Sequence, residues 1–185
     1  MKKFFVFIGL FFINLMLISA DDKVLVTLSK CIDGDTAKFF IDGKEETVRF
    51  LSINAPEIAH GDVVGEAYGD EASIFTCDAL TNANGIKLEY DPNSDKTDKY
   101  GRVLAWVFVD NKLLQEMIVE KGLAEVKYVY ADYMYTSKLE VLESKAKDRK
   151  IGMWSDNDDI DLIIYIIGGI IVILISIYGR KLSKK

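Results

Sequence analysis

The run LIIYIIGGIIVILISIYG at residues 162–179 carries no charged side chain over eighteen positions. At ~1.5 Å per residue that is enough helix to cross ~30 Å of hydrocarbon. It predicts a transmembrane helix at 160–179. Asp156, Asp158, Asp159 and Asp161 precede the run and RKLSKK follows it at 180–185. The positive-inside rule therefore expects a cytoplasmic basic tail, with everything before the span on the other side. At the opposite end, MKKFFVFIGLFFINLMLISA has two lysines, an apolar stretch from Phe4, and small residues at Ser19 and Ala20. That layout predicts a secretory signal peptide at 1–20, or a signal anchor if uncleaved, and both give the same topology. A buried N-terminal helix is the alternative, but a helix apolar all round fits a small soluble core poorly.

From Asp21 to Asp161 lie 17 basic and all 29 acidic residues, a net charge of −12. So acidic a domain is not drawn unselectively to phosphate polymers, and any nucleic-acid contact needs a local basic or metal-bearing site. The length suits one core, with only two prolines and no internal repeat.

VLVTLSK (24–30), TAKFFI (36–41) and TVRFLSI (47–53) read as three strands of a meander, with Asp42-Gly43 turning between the last two. GEAYGDEASIFTCDALTNA has helical apolar spacing at Ala72, Phe75, Ala79 and Leu80, with Asn84-Gly85 as its stop. IKLEY and VLAWVFV return to strand character, and KLLQEMIVEKGLA and YTSKLEVLESKAKDRKIGMW read as amphipathic helices. This order predicts an α+β fold, mainly β: a five-stranded OB-type barrel with three packed helices.

There is no Gly-x-Ser-x-Gly elbow, HExxH or CxxC, and the single histidine, His60, reads as a solvated loop residue. Hydrolysis would have to use carboxylates and arginines. In CIDGDTAKFF, Asp33-Gly34-Asp35 reads either as a plain turn, with glycine supplying positive φ, or as a turn aiming a carboxylate at a ligand. Asp35, the Asn54 amide oxygen and a main-chain carbonyl would suit a hard cation such as Ca²⁺, with Arg49 and Arg102 clamping a phosphate.

IDGDT, VRFLSINAPE, YGDEAS, TDKYGR, GLAEVKYVY and IGMWS occur together in order. From about Lys23 to Ser155 the chain resembles the thermonuclease family typified by staphylococcal nuclease, so that residues 21–156 are read as a thermonuclease-like domain. The resemblance implies calcium-dependent hydrolysis of DNA or RNA, which together with the two apolar runs gives a membrane-tethered enzyme outside the cytoplasm. It implies Asp35, Asn54 and the Ala55 carbonyl as metal ligands, and Glu57 as the residue that orients or deprotonates the attacking water. Arg49 and Arg102 would bind the scissile phosphate, and Lys99, Tyr100 and Tyr128 would contact the terminal phosphate or base.

Asn54 stands where the family usually has a second aspartate, which implies a looser or differently selective metal site. A catalytically reduced OB module that binds nucleic acid or a protein partner is the alternative, and no obligate protein partner is evident. Cys31 and Cys77 fall on a strand end and a helix that pack in the family. They either pair, as an oxidising compartment allows, or remain as two buried thiols.

Overall fold

The computed structural model describes residues 23–61, 64–155 and 166–171. The expected signal at 1–20 and most of the expected span lie outside the described residues; of that span, residues 166–171 are helical and exposed. No helix of the described residues is long and apolar enough to cross a membrane.

Strands β1 (Val24–Cys31), β2 (Thr36–Ile41) and β3 (Lys44–Phe50) form the antiparallel meander. Asp42 and Gly43, at φ 50 and 81, make the left-handed two-residue turn that matches the strand twist. Strand β4 (Ile53–Asn54) follows a bend, and β5 (Ile86–Glu89) pairs antiparallel with β1 and with β6 (Val103–Val109). Strands β3 and β6 then pair in parallel, from Val48 opposite Val103 to Phe50 opposite Ala105, and close five strands into a barrel. A short β7 (Lys112–Leu113) extends β6, and β8 (Glu125–Val126) pairs with β4. Helices α1 (Gly69–Thr81), α2 (Leu114–Glu120) and α3 (Thr136–Asp148) pack on this barrel.

Alternation drives the burial. Ala37 and Phe39 of β2 point inward with no exposed surface, while Phe40 on the opposite face is 45% exposed. Val48, Leu88 and Val107 complete the barrel interior, and Leu114, Ile118 and Leu139 seal the helices against it. Each such side chain contributes about 1.5–3 kcal/mol on burial. Gln115 is fully buried yet satisfied, its amide accepting from Val107 N at 3.1 Å and donating to Ala105 O at 3.1 Å. It fastens α2 to β6 at positions where a purely apolar helix face would leave the strand unpaired.

The elements depart from the sequence pattern at their ends. The predicted strand 47–53 breaks after Phe50 because Ser52 takes φ 60, and its hydroxyl lies 3.0 Å from Thr136 Oγ1. The α2 pattern starts late because Lys112 and Leu113 are taken up in pairing with β6. Helix α1 stops at Thr81, before Asn84-Gly85, since Asn82 Nδ2 caps the Asp78 carbonyl at 2.9 Å and Asp110 accepts from Asn84 N and Gly85 N.

The two cysteines are paired: Cys31 at the end of β1 is bonded to Cys77 of α1, with Cα atoms 5.6 Å apart. The bond closes a separation of 46 residues. Chain-entropy arguments assign such a loop about 3–4 kcal/mol. Alkylation of the unreduced protein should label neither thiol, and reduction should expose both. The double change Cys31→Ser with Cys77→Ser should lower the thermal midpoint by roughly 10 °C in a calorimetric scan.

Candidate active site

The site is built where β3 bends. Arg49, on β3 and 8% exposed, sends Nη1 back to the carbonyls of Phe50 at 2.9 Å and Ile53 at 2.8 Å, on either side of the bend. Its Nη2 lies 2.9 Å from Asp35 Oδ2 and 3.4 Å from Asn54 Oδ1. The guanidinium thus supplies partners that the broken strand lost.

Asp35 is held from several sides. Its Oδ2 also accepts from Ala55 N at 2.8 Å, its Oδ1 accepts from the Thr36 hydroxyl at 2.9 Å, and its own N–H donates to Asp33 Oδ1 at 3.0 Å. Burial pushes the Asp35 carboxyl up to about 6, against the pull of Arg49, Ala55 N–H and the Thr36 hydroxyl. Gly34 is needed here for space rather than for positive φ, which corrects the turn expected from the sequence. A Cβ at Gly34 would sit 2.6 Å from that of Ala55 and 2.9 Å from that of Ala72. Thr76 of α1 donates to the Gly34 carbonyl at 2.7 Å, so the helix fixes the loop close to the disulfide at Cys77.

Arg102 enters from the other side of the barrel seam. Asp98 accepts from Arg102 Nε at 2.7 Å, Arg102 N at 3.0 Å and Tyr100 N at 2.9 Å, which closes the DKYGR loop around one carboxylate. Partial burial opposes ionisation of Asp98, but the Arg102 side chain and these N–H donors outweigh it and hold the carboxyl below its ordinary value.

A cleft of about 670 Å³ results, lined by Arg49, Asn54, Glu57, Lys99, Tyr100, Arg102 and Tyr128 among others. Glu57 is exposed, and its segment is pinned by backbone bonds to Glu66 rather than by its carboxylate. Tyr100 is 72% exposed, and its ring faces Lys99 Nζ at 4.9 Å and Arg102 at 5.5 Å. Tyr128 adopts φ 59 and sets its ring 5.7 Å from the Arg49 guanidinium. Seven of the nine residues singled out in the sequence therefore share one cleft. Asp35 and Ala55 are buried and do not line it; they reach it through Arg49 and Asn54.

Asp98, which fastens Arg102, and Glu125, which contacts Asn54, were not foreseen. For Asp98 the signal was present, since an acid four residues before an arginine in a turn-rich loop can bond both backbone and guanidinium. His60 is exposed, as read.

The donors available for a metal are all oxygens: the Asp35 carboxylate, the Asn54 amide and the Ala55 carbonyl. Asp35 Oδ1 keeps acceptor capacity beyond the Thr36 hydroxyl, and a raised carboxyl is one that a further cation would favour in its ionised form. This chemistry fits Ca²⁺. Among the described residues no group of three or more His, Cys, Asp or Glu could hold a metal, so the set contains one carboxylate and neutral oxygens.

A family model described as "Staphylococcal nuclease homologue" matches residues 47–156. The chain belongs to this family. It is 35% identical over 127 residues to the Thermonuclease of Staphylococcus hyicus, covering 69% of this chain and 73% of that protein. It is 41% identical over 133 residues to Endonuclease YncB of Bacillus subtilis, covering 71% of this chain and 62% of that protein. It is also 41% identical over 137 residues to the SPbeta prophage-derived endonuclease YokF of B. subtilis, covering 74% of this chain and 46% of YokF. The chain thus spans about half to two thirds of the length of these B. subtilis relatives.

Arg49 and Glu57 should separate in their cost to folding. Arg49→Ala leaves Asp35 and two carbonyls without their partner in a buried setting and should cost about 3–5 kcal/mol. Glu57→Gln, on an exposed side chain, should stay within about 0.5 kcal/mol. Urea unfolding followed by far-UV circular dichroism measures both.

Proposed function

We propose that this family member is a phosphodiester hydrolase acting on nucleic acid, calcium-dependent, and tethered to the membrane with its barrel on the extracytoplasmic side. The observation that carries the reading is the cleft itself, whose lining brings together Arg49, Arg102 and Glu57. Attack on a phosphodiester builds charge on an already anionic group, and forked guanidiniums lower that barrier by electrostatic stabilisation. Glu57, exposed to solvent, orients the water and accepts its proton, a role worth ~10²–10⁴-fold. Tyr100 and Tyr128 offer π faces to bases, and Lys99 offers a charge to a terminal phosphate. Asp35, Asn54 and the Ala55 carbonyl would hold Ca²⁺, whose chemistry there is Lewis-acid polarisation of the phosphoryl group.

The relatives named as endonucleases and thermonucleases support the chemistry. The two apolar runs and the basic tail support the topology, as does a disulfide, which suits an oxidising compartment. One observation favours the alternative of a binding-only module: both terminal nitrogens of Arg49 are already engaged by protein oxygens. Cleavage assays discriminate the two.

The full chain should cut single-stranded DNA or RNA with Ca²⁺ and stop with chelator. Glu57→Gln should lose ~10²–10⁴-fold in kcat while still binding the oligonucleotide. Binding without cleavage under every condition would establish the alternative. Asp98→Asn should lower kcat by about 10²-fold through misplacement of Arg102, with KM changed less. Protease added to intact cells should remove the barrel and spare the tail, and a protected barrel would refute the topology.

A further inference from the structure

Strands β4 and β8 set Asn54 directly opposite Glu125. On one face of an antiparallel pair such residues lie within side-chain reach. Asn54 Nδ2 donates to Glu125 Oε1 at 3.3 Å, while its Oδ1 accepts from Arg49 Nη2 at 3.4 Å. The amide therefore lies between a cation and a carboxylate. Turned over, it would aim its NH₂ at a guanidinium and its oxygen at an anion, so the two neighbours fix one orientation. That orientation faces the oxygen toward Arg49, the residue that also holds Asp35. The carboxylate is itself well placed: Val126 N donates to Glu143 Oε1 of α3 at 2.9 Å, anchoring β8, and Lys127 Nζ lies 2.7 Å from Glu125 Oε1.

We propose that Glu125 is a positioning residue that holds the Asn54 amide with its oxygen toward the metal-binding side. This rests on the calcium reading above. It also changes the meaning of Asn54. An aspartate at position 54 would place a second carboxylate about where Nδ2 now meets Glu125, directly opposite it on the β4–β8 pair, where like charges destabilise the pairing. Asparagine is then the residue that fits beside Glu125, and restoring an acid at 54 alone would set it against its neighbour.

The test is a double-mutant cycle on the full chain with two readouts: Ca²⁺ affinity by isothermal titration calorimetry, and thermal midpoint in chelator. Glu125→Ala should weaken Ca²⁺ binding by about tenfold. Glu125→Gln, which keeps an acceptor for Nδ2, should retain most of the affinity. Asn54→Asp should leave affinity unimproved and lower the chelator midpoint by several degrees when Glu125 is present. Combined with Glu125→Gln, the same change should tighten Ca²⁺ and leave the midpoint unmoved. If the variants bind Ca²⁺ and Asn54→Asp has equal effects in both backgrounds, the role of Glu125 is overturned while the calcium reading stands. If no variant binds Ca²⁺, the calcium reading falls and the positioning role falls with it.

Discussion

The ion pair between Arg49 and Asp35 is the constraint on which the site depends. Both side chains are withdrawn from water, and desolvation outweighs the attraction enough to leave the Asp35 carboxyl raised to about 6. Such pairs contribute little net stability, yet removing one partner strands the other. The return here is geometric. One guanidinium ties the loop after β1, the bend after β3 and the Asn54 amide into a single arrangement. Helix α1 presses on the same loop through Thr76 and through the disulfide at Cys77.

The cations at the cleft are largely matched before any substrate arrives. Arg49 meets Asp35 and Arg102 meets Asp98. On a domain whose net charge is −12, this leaves a nearly neutral cleft rather than a basic track. Recognition of nucleic acid in the proposed reaction would then depend on short-range contacts with exposed tyrosines and a bound cation more than on long-range steering.

Much of this was legible in the sequence, for identifiable reasons. Strands β2 and β6 occur where their alternating or continuous apolar runs predict, since a barrel buries one face of each strand and the closing strand is buried almost throughout. Arg49, Glu57 and Arg102 were legible through linked motifs. The bend at Ser52 was not, because the partners that satisfy it, the Arg49 guanidinium on the Phe50 and Ile53 carbonyls, are ones no local propensity encodes. Gly34 was misread for a related reason: it yields space to Ala55 and Ala72, residues distant in sequence. Glu125 was missed because only the β4–β8 register brings it to Asn54.

The parallel seam between β3 and β6 has a kinetic consequence. It joins Val48 to Val103, more than fifty positions apart, so it carries the loop-closure entropy that makes non-local pairing slow. Arg49 lies within that seam and Arg102 stands immediately before it. The two guanidiniums therefore meet only once the barrel has closed, and a chain with β1, β2 and β3 already in register still lacks half of its cleft. In the proposed reaction, activity would then be a report of the finished fold, withheld from nascent and partly folded chains.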